Sequence, residues 1–163
     1  MIALSPHFAE HSVAFLHGGT TSKIATFGCV AINSKVKSEL GKLKLSSPEI
    51  GASLMAGPDG PLWYRGLVKE LLDVDADAIT GILGALHVRA MVVGHTVADG
   101  GHIRQTFDGR VTQIDTGMLG APFWPDGAPS ALEIKDKTFT AIYAGGRREP
   151  LSAPAAATYA AHR

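Results

Sequence analysis

Ala90-Met91-Val92-Val93-Gly94-His95-Thr96 is the stretch on which the reading of the fold turns. Four apolar residues in a row, with no polar alternation, mark a strand covered on both faces. Glycine ends the run and a histidine follows at once. Ser12-Val13-Ala14-Phe15-Leu16-His17-Gly18-Gly19 repeats the pattern: a short buried strand, a histidine, and glycines that stop it. In α/β sheets, sites collect at the carboxyl ends of strands. Glycine there lets the backbone turn tightly and lets a ligand approach.

Between these strands the pattern is helical. From Cys29 to Leu40, apolar Val30, Ile32, Val36 and Leu40 are separated by polar residues, which predicts one face of a helix with Gly41 as its stop. Residues 44–61 carry Ser46-Ser47-Pro48 and Gly57-Pro58-Asp59-Gly60-Pro61 and read as a loop. Helices are expected from Gly66 to Leu72 and from Asp75 to His87. Ile79, Ile82, Leu83 and Leu86 share a face of the second, and Asp75 is its N-cap. After Thr96, Ile103–Phe107 and Arg110–Ile114 flank Asp108-Gly109, a strong hairpin signal. Ala131–Ile134 and Phe139–Tyr143 read as two more strands. Residues 1–11 show no period and read as irregular. The Ala- and Pro-rich tail, 147–163, reads as disordered. The order predicts an α/β domain of mixed sheets flanked by helices, spanning 12–146.

The 163 residues suit one domain with a real core. Fifteen basic and fifteen acidic residues balance to zero, which argues against a nucleic-acid binder. Cys29 is the single cysteine, so neither an internal disulfide nor a thiolate zinc cluster is available. No apolar run approaches the roughly 18–20 residues of a membrane span. The N-terminus lacks the pattern of a signal peptide, which leaves the cytoplasm as the default expectation.

Three places have chemistry to offer. His17 and His95 stand at strand ends, and imidazole is the commonest metal ligand. They are either ligands or satisfied core histidines, and 78 residues between them leave no local spacing signature to decide. Gly60-Pro61-Leu62-Trp63-Tyr64-Arg65-Gly66 puts an arginine suited to bidentate phosphate binding beside a tyrosine hydroxyl. The alternative is that Trp63 and Tyr64 anchor the loop while Arg65 pairs with a surface carboxylate. Asp115, in Gln113-Ile114-Asp115-Thr116-Gly117-Met118, is open to three roles: metal ligand, Asx turn, or support for a histidine's second nitrogen.

In this order, the segments resemble the C-terminal half of calcineurin-like metallophosphoesterases. The run is His17-Gly18-Gly19, Ala31-Ile32-Asn33, Pro61-Leu62-Trp63-Tyr64-Arg65, Val92-Val93-Gly94-His95-Thr96, Ile114-Asp115-Thr116-Gly117 and Ser130-Ala131-Leu132-Glu133-Ile134. It looks most like the bacterial Shewanella-like protein phosphatases, with the symmetrical dinucleoside-tetraphosphate hydrolases as neighbours. The resemblance implies half of a β-sandwich with a site for two divalent metals (Mn, Fe or Zn) at the strand ends. His17 and His95 would ligate the same metal and Arg65 would hold the substrate phosphate; from the residues themselves, Tyr64 is expected to assist Arg65, and Asp115 to form a turn or support a histidine's second nitrogen. The implied activity is hydrolysis of phosphomonoesters, with phosphoproteins among the candidate substrates. The family's early motifs (Gly-Asp-x-His, Gly-Asp-x-x-Asp-Arg-Gly and Gly-Asn-His-Glu) are absent: the chain has no Gly-Asp and no Asn-His dipeptide. It therefore supplies no catalytic acid or bridging carboxylate of the family's kind. The competing expectation is a non-catalytic module that self-associates through an exposed sheet edge.

Overall fold

The computed structural model describes residues 2–4, 13–42, 48–68 and 74–154. Strands β1 (Ala3–Leu4) and β2 (Val13–Leu16) come first. Helices α1 (Ser22–Ala25), α2 (Gly28–Lys42) and α3 (Ala76–Ala85) follow. Strands β3 (Ala90–Val93), β4 (Arg104–Thr106), β5 (Val111–Gln113), β6 (Ser130–Lys135), β7 (Thr138–Tyr143) and β8 (Arg148–Leu151) complete the order. The first sheet runs β1-β2-β3-β5-β4, and the second runs β6-β7-β8. In the first, β2, β3 and β5 are parallel, while β1 and β4 pair antiparallel at the edges. The second sheet is antiparallel throughout.

The unbroken apolar runs are explained by burial on both faces. Side chains alternate across a strand. Ala14, Leu16, Met91 and Val93 turn toward Ile24 and Ile32 of the first two helices and Ile79, Ile82 and Leu83 of α3. Val13, Ala90 and Val92 turn the other way, onto Phe139 of the second sheet. The central strands thus lie in the middle of three layers, helix, sheet and sheet, and a polar residue on either face would be buried. Asp75 caps α3, its carboxylate accepting the Ala78 N–H at 2.7 Å. Among the described residues no helix is long and apolar enough to cross a membrane.

The hairpin expected at Asp108-Gly109 is present. Both residues have positive φ (54° and 77°), and the Arg110 N–H reaches the Phe107 carbonyl at 3.1 Å, a type I′ turn between β4 and β5.

Both flanks of the domain are more ordered than composition implies. Within the segment read as irregular, 1–11, Ala3 and Leu4 pair with Phe15 and Ala14. The Asn33 carboxamide clasps Ile2, accepting its N–H and donating to its carbonyl at 2.7 Å each. These are tertiary contacts that no local period announces. Similarly, 147–163 is not uniformly a tail: Arg148–Leu151 forms β8 against β7, and Leu151 packs into the core between the sheets. Pro150 is compatible because β8 is an edge strand. Helix α2 runs past Gly41 to Lys42. Of the helix expected over 66–72, residues 69–72 lie outside the described ones, as do 5–12 and 155–163.

Candidate active site

Register places the two histidines side by side. Parallel pairing sets Phe15 level with Val92 and Leu16 level with Val93. The next residues are therefore neighbours, and the His17 carbonyl accepts the Gly94 N–H at 2.9 Å. Both histidines leave the same carboxyl edge of the sheet. His17 Nε2 lies 3.0 Å from His95 Nδ1, with the ring centroids 4.7 Å apart.

The loop at 60–66 brings the cation. Gly18 donates its N–H to the Pro61 carbonyl at 2.8 Å. A Cβ on Gly18 would sit 2.9 Å from the Tyr64 carbonyl oxygen, so only glycine lets this backbone lie on the strand end. Arg65 then reaches His95, its guanidinium nitrogen 3.0 Å from Nε2. Tyr64 goes elsewhere: its ring packs with the helix-side core and against Gly66. The aromatic beside the histidines is Trp63, edge-on to His95 with centroids 5.1 Å apart and 48% exposed. The sequence brought out Arg65 but gave no signal to separate Trp63 from Tyr64. Which of two adjacent aromatics faces the site depends on the loop's path.

The hydrogen bonds fix the proton positions of the neutral rings. Arginine has donors only, so His95 Nε2 must accept. The proton of neutral His95 is then on Nδ1, donated to His17 Nε2. Burial, then the positive charge of Arg65, then that of His17, push the His95 pKa below its ordinary value, and Asp115 opposes them. The Asp115 carboxylate accepts the Gly117 N–H at 3.1 Å, which is the Asx turn among the roles open to it. The second nitrogen of His95 is met by Arg65 instead.

The backbone at His95 is unusual. Its φ is +64°, and the Thr96 N–H bonds back to the Gly94 carbonyl at 2.7 Å. An i→i+2 bond around a positive φ is the rarer, strained form of γ-turn. Strain of this sort persists where surrounding structure over-determines it, and it clusters at functional sites.

As a metal centre the residues fit in part. Two imidazole nitrogens 3.0 Å apart have the separation of cis ligands to one ion with bonds of roughly 2.0–2.1 Å, once the proton between them leaves His95 Nδ1 for Nε2. Among the described residues, no group of three or more His, Cys, Asp or Glu side chains converges to hold a metal. This chain's described residues thus provide two nitrogen donors and no carboxylate.

The mixed sheet, the antiparallel sheet and the helices form an α/β fold shared with solved phosphatases. Solved structures of a cold-active protein-tyrosine phosphatase from a psychrophilic Shewanella superpose with a TM-score of 0.68 at 21–22% identity. They match 85–86% of this chain and 39–40% of theirs. Among curated proteins, Shewanella-like protein phosphatase 2 of Arabidopsis thaliana is 28% identical over 123 residues, 74% of this chain. An uncharacterised protein of Schizosaccharomyces pombe is 30% identical over 114 residues. No family model matches. The chain spans about a third of these curated relatives, 30% and 32% of their lengths. It fits a partial domain of the Shewanella-like protein phosphatase family.

Proposed function

We propose that this chain is the portion of a metal-dependent phosphomonoesterase, with phosphoproteins among its candidate substrates, that contributes two metal ligands and a phosphate-binding arginine. The observation that carries the reading is the convergence of His17 Nε2 and His95 Nδ1 at 3.0 Å with Arg65 on the far nitrogen of His95. His17 and His95 would hold one ion. Two divalent ions bound together supply a polarised phosphoryl oxygen and an acidified water. His95 is suited to its part because its lowered pKa keeps the ring neutral, the form that ligates. Ligation through Nδ1 would put the His95 proton on Nε2, turning Arg65 off that nitrogen and freeing its planar donor fork for phosphate oxygens. Trp63 packs in an edge contact with His95. Carboxylate ligands and a leaving-group acid are needed from beyond the described residues.

The test is direct. Zn2+ or Co2+ should bind the chain, and His17→Ala and His95→Ala should each abolish binding. With Mn2+, the chain alone should hydrolyse an aryl phosphate no faster than background. Turnover should appear when the amino-terminal part of a Shewanella-like relative is supplied. Robust turnover by the 163 residues alone, or metal binding that survives both substitutions, would overturn this reading.

A further inference from the structure

We infer that Gln113 is a positioning residue that locks the strained turn under His95 and thereby aims the imidazole at His17. Gln113 is the last residue of β5 and is only 5% exposed. An apolar side chain would ordinarily fill such a place, because burying a carboxamide is costly unless it is hydrogen-bonded. Its bond is specific: Nε2 donates to the Thr96 carbonyl at 2.7 Å, across 17 residues. That carbonyl belongs to the residue closing the γ-turn.

The surrounding backbone shows why a side chain is needed there. Before the turn, the Ile114 N–H holds the Val93 carbonyl at 2.9 Å. Beyond it, the Ala98 N–H donates to the Asp115 carbonyl at 2.8 Å. Residues 93 and 98 are thus tied to the end of β5 by main chain. The segment between them bulges away to place His95, and main-chain ladder bonds cannot follow it. The Gln113 side chain spans that gap. The Thr96 hydroxyl is buried and makes no hydrogen bond with the described residues, so the hold on Thr96 is through its main chain. Without the Gln113 bond, a positive φ at a residue with a Cβ has reason to relax. The imidazole would swing off both His17 and Arg65.

This inference rests on His95 being a functional imidazole, but its main readout needs neither metal nor substrate. The variant Gln113→Met keeps the volume and removes the donor. Long-range nitrogen–proton NMR of the metal-free chain should show His95 as a clean Nδ1–H tautomer. In the variant it should become a tautomer mixture, with the Thr96 amide also shifting. Core methyl signals should hold, and the thermal midpoint should move by no more than about 4 °C. Zn2+ affinity should fall ~10-fold, the scale of support lost from behind a ligand. Gln113→Asn, one methylene too short to reach the Thr96 carbonyl, should reproduce the NMR changes and serves if the Met variant does not fold. Unchanged His95 signals, or core signals moving together with a large loss of stability, would overturn the inference. A wild-type chain that binds no Zn2+ counts against the proposed metal site and leaves the NMR outcome as the test of Gln113.

Discussion

His17 and His95 look like copies of each other in sequence, a histidine closing an apolar strand with glycine beside it, yet the structure treats them differently. His17 is exposed, and its carbonyl takes part in the sheet through Gly94. His95 is half-buried, lies in the left-handed region, and is gripped by Arg65 on one nitrogen and His17 on the other. One is a strand end that carries an imidazole. The other is an imidazole for which the backbone has been bent. Equal local patterns therefore do not imply equal mechanical roles, and the neighbours decide which residue is held and which leans on it.

The largest expected effect tests whether both are needed. In a phosphatase assembled from this chain and the amino-terminal part of a Shewanella-like relative, His17→Ala and His95→Ala should each lower kcat/KM by at least ~100-fold, since losing a ligand exceeds the usual cost of losing its support. A His17 variant with near-normal turnover would break the pairing. Next come the glycines. Gly18→Ala should destabilise by about 1–3 kcal/mol in urea unfolding, because its Cβ would press on the backbone of Leu62 and Tyr64. Gly94→Ala meets only the His17 carbonyl oxygen, at 3.4 Å, and should cost under about 1 kcal/mol. Equal costs would mean that the loop at 60–66 does not rest on the first strand end.

The smallest effect is in the pH dependence. The folded state depresses the His95 pKa from its model-compound value of 6.5, so the unfolded chain binds the proton more readily. The His95 contribution to stability is therefore present above about pH 6.5 and fades as pH falls through the lower, folded value. The thermal midpoint should decline on acidification in that window. His95→Asn, which tolerates positive φ, should flatten the decline. An unchanged slope would detach the depressed pKa from the site.

Much of this was legible in the residues. The apolar runs at 13–16 and 90–93, the Asp75 cap and the Asp108-Gly109 hairpin are local signals, and each has its element in the fold. The clustering of His17, Arg65 and His95 was suggested by their order along the chain, because strands of this kind align their carboxyl ends. What stayed hidden is set by contacts across long separations. β1 forms because α2 offers Asn33, β8 forms because β7 has an open edge, and Trp63 turns outward because Tyr64 is taken by the core. Gln113 was visible only as one residue in a candidate segment, since nothing local says that its amide reaches Thr96.

The turn at His95 also has a consequence in terms of handedness. A left-handed φ costs an L-residue roughly 1–2 kcal/mol and would cost its mirror image nothing. Glycine, the coded residue most at ease there, has no imidazole, and asparagine offers a weaker donor. Position 95 is thus a place where chemistry and chirality disagree, and L-histidine settles it in favour of chemistry. A chain assembled with D-histidine at this one position would hold the same backbone without the strain, but would project its ring from the opposite side of Cα. The imidazole reaches His17 only because the chain accepts the less comfortable enantiomer.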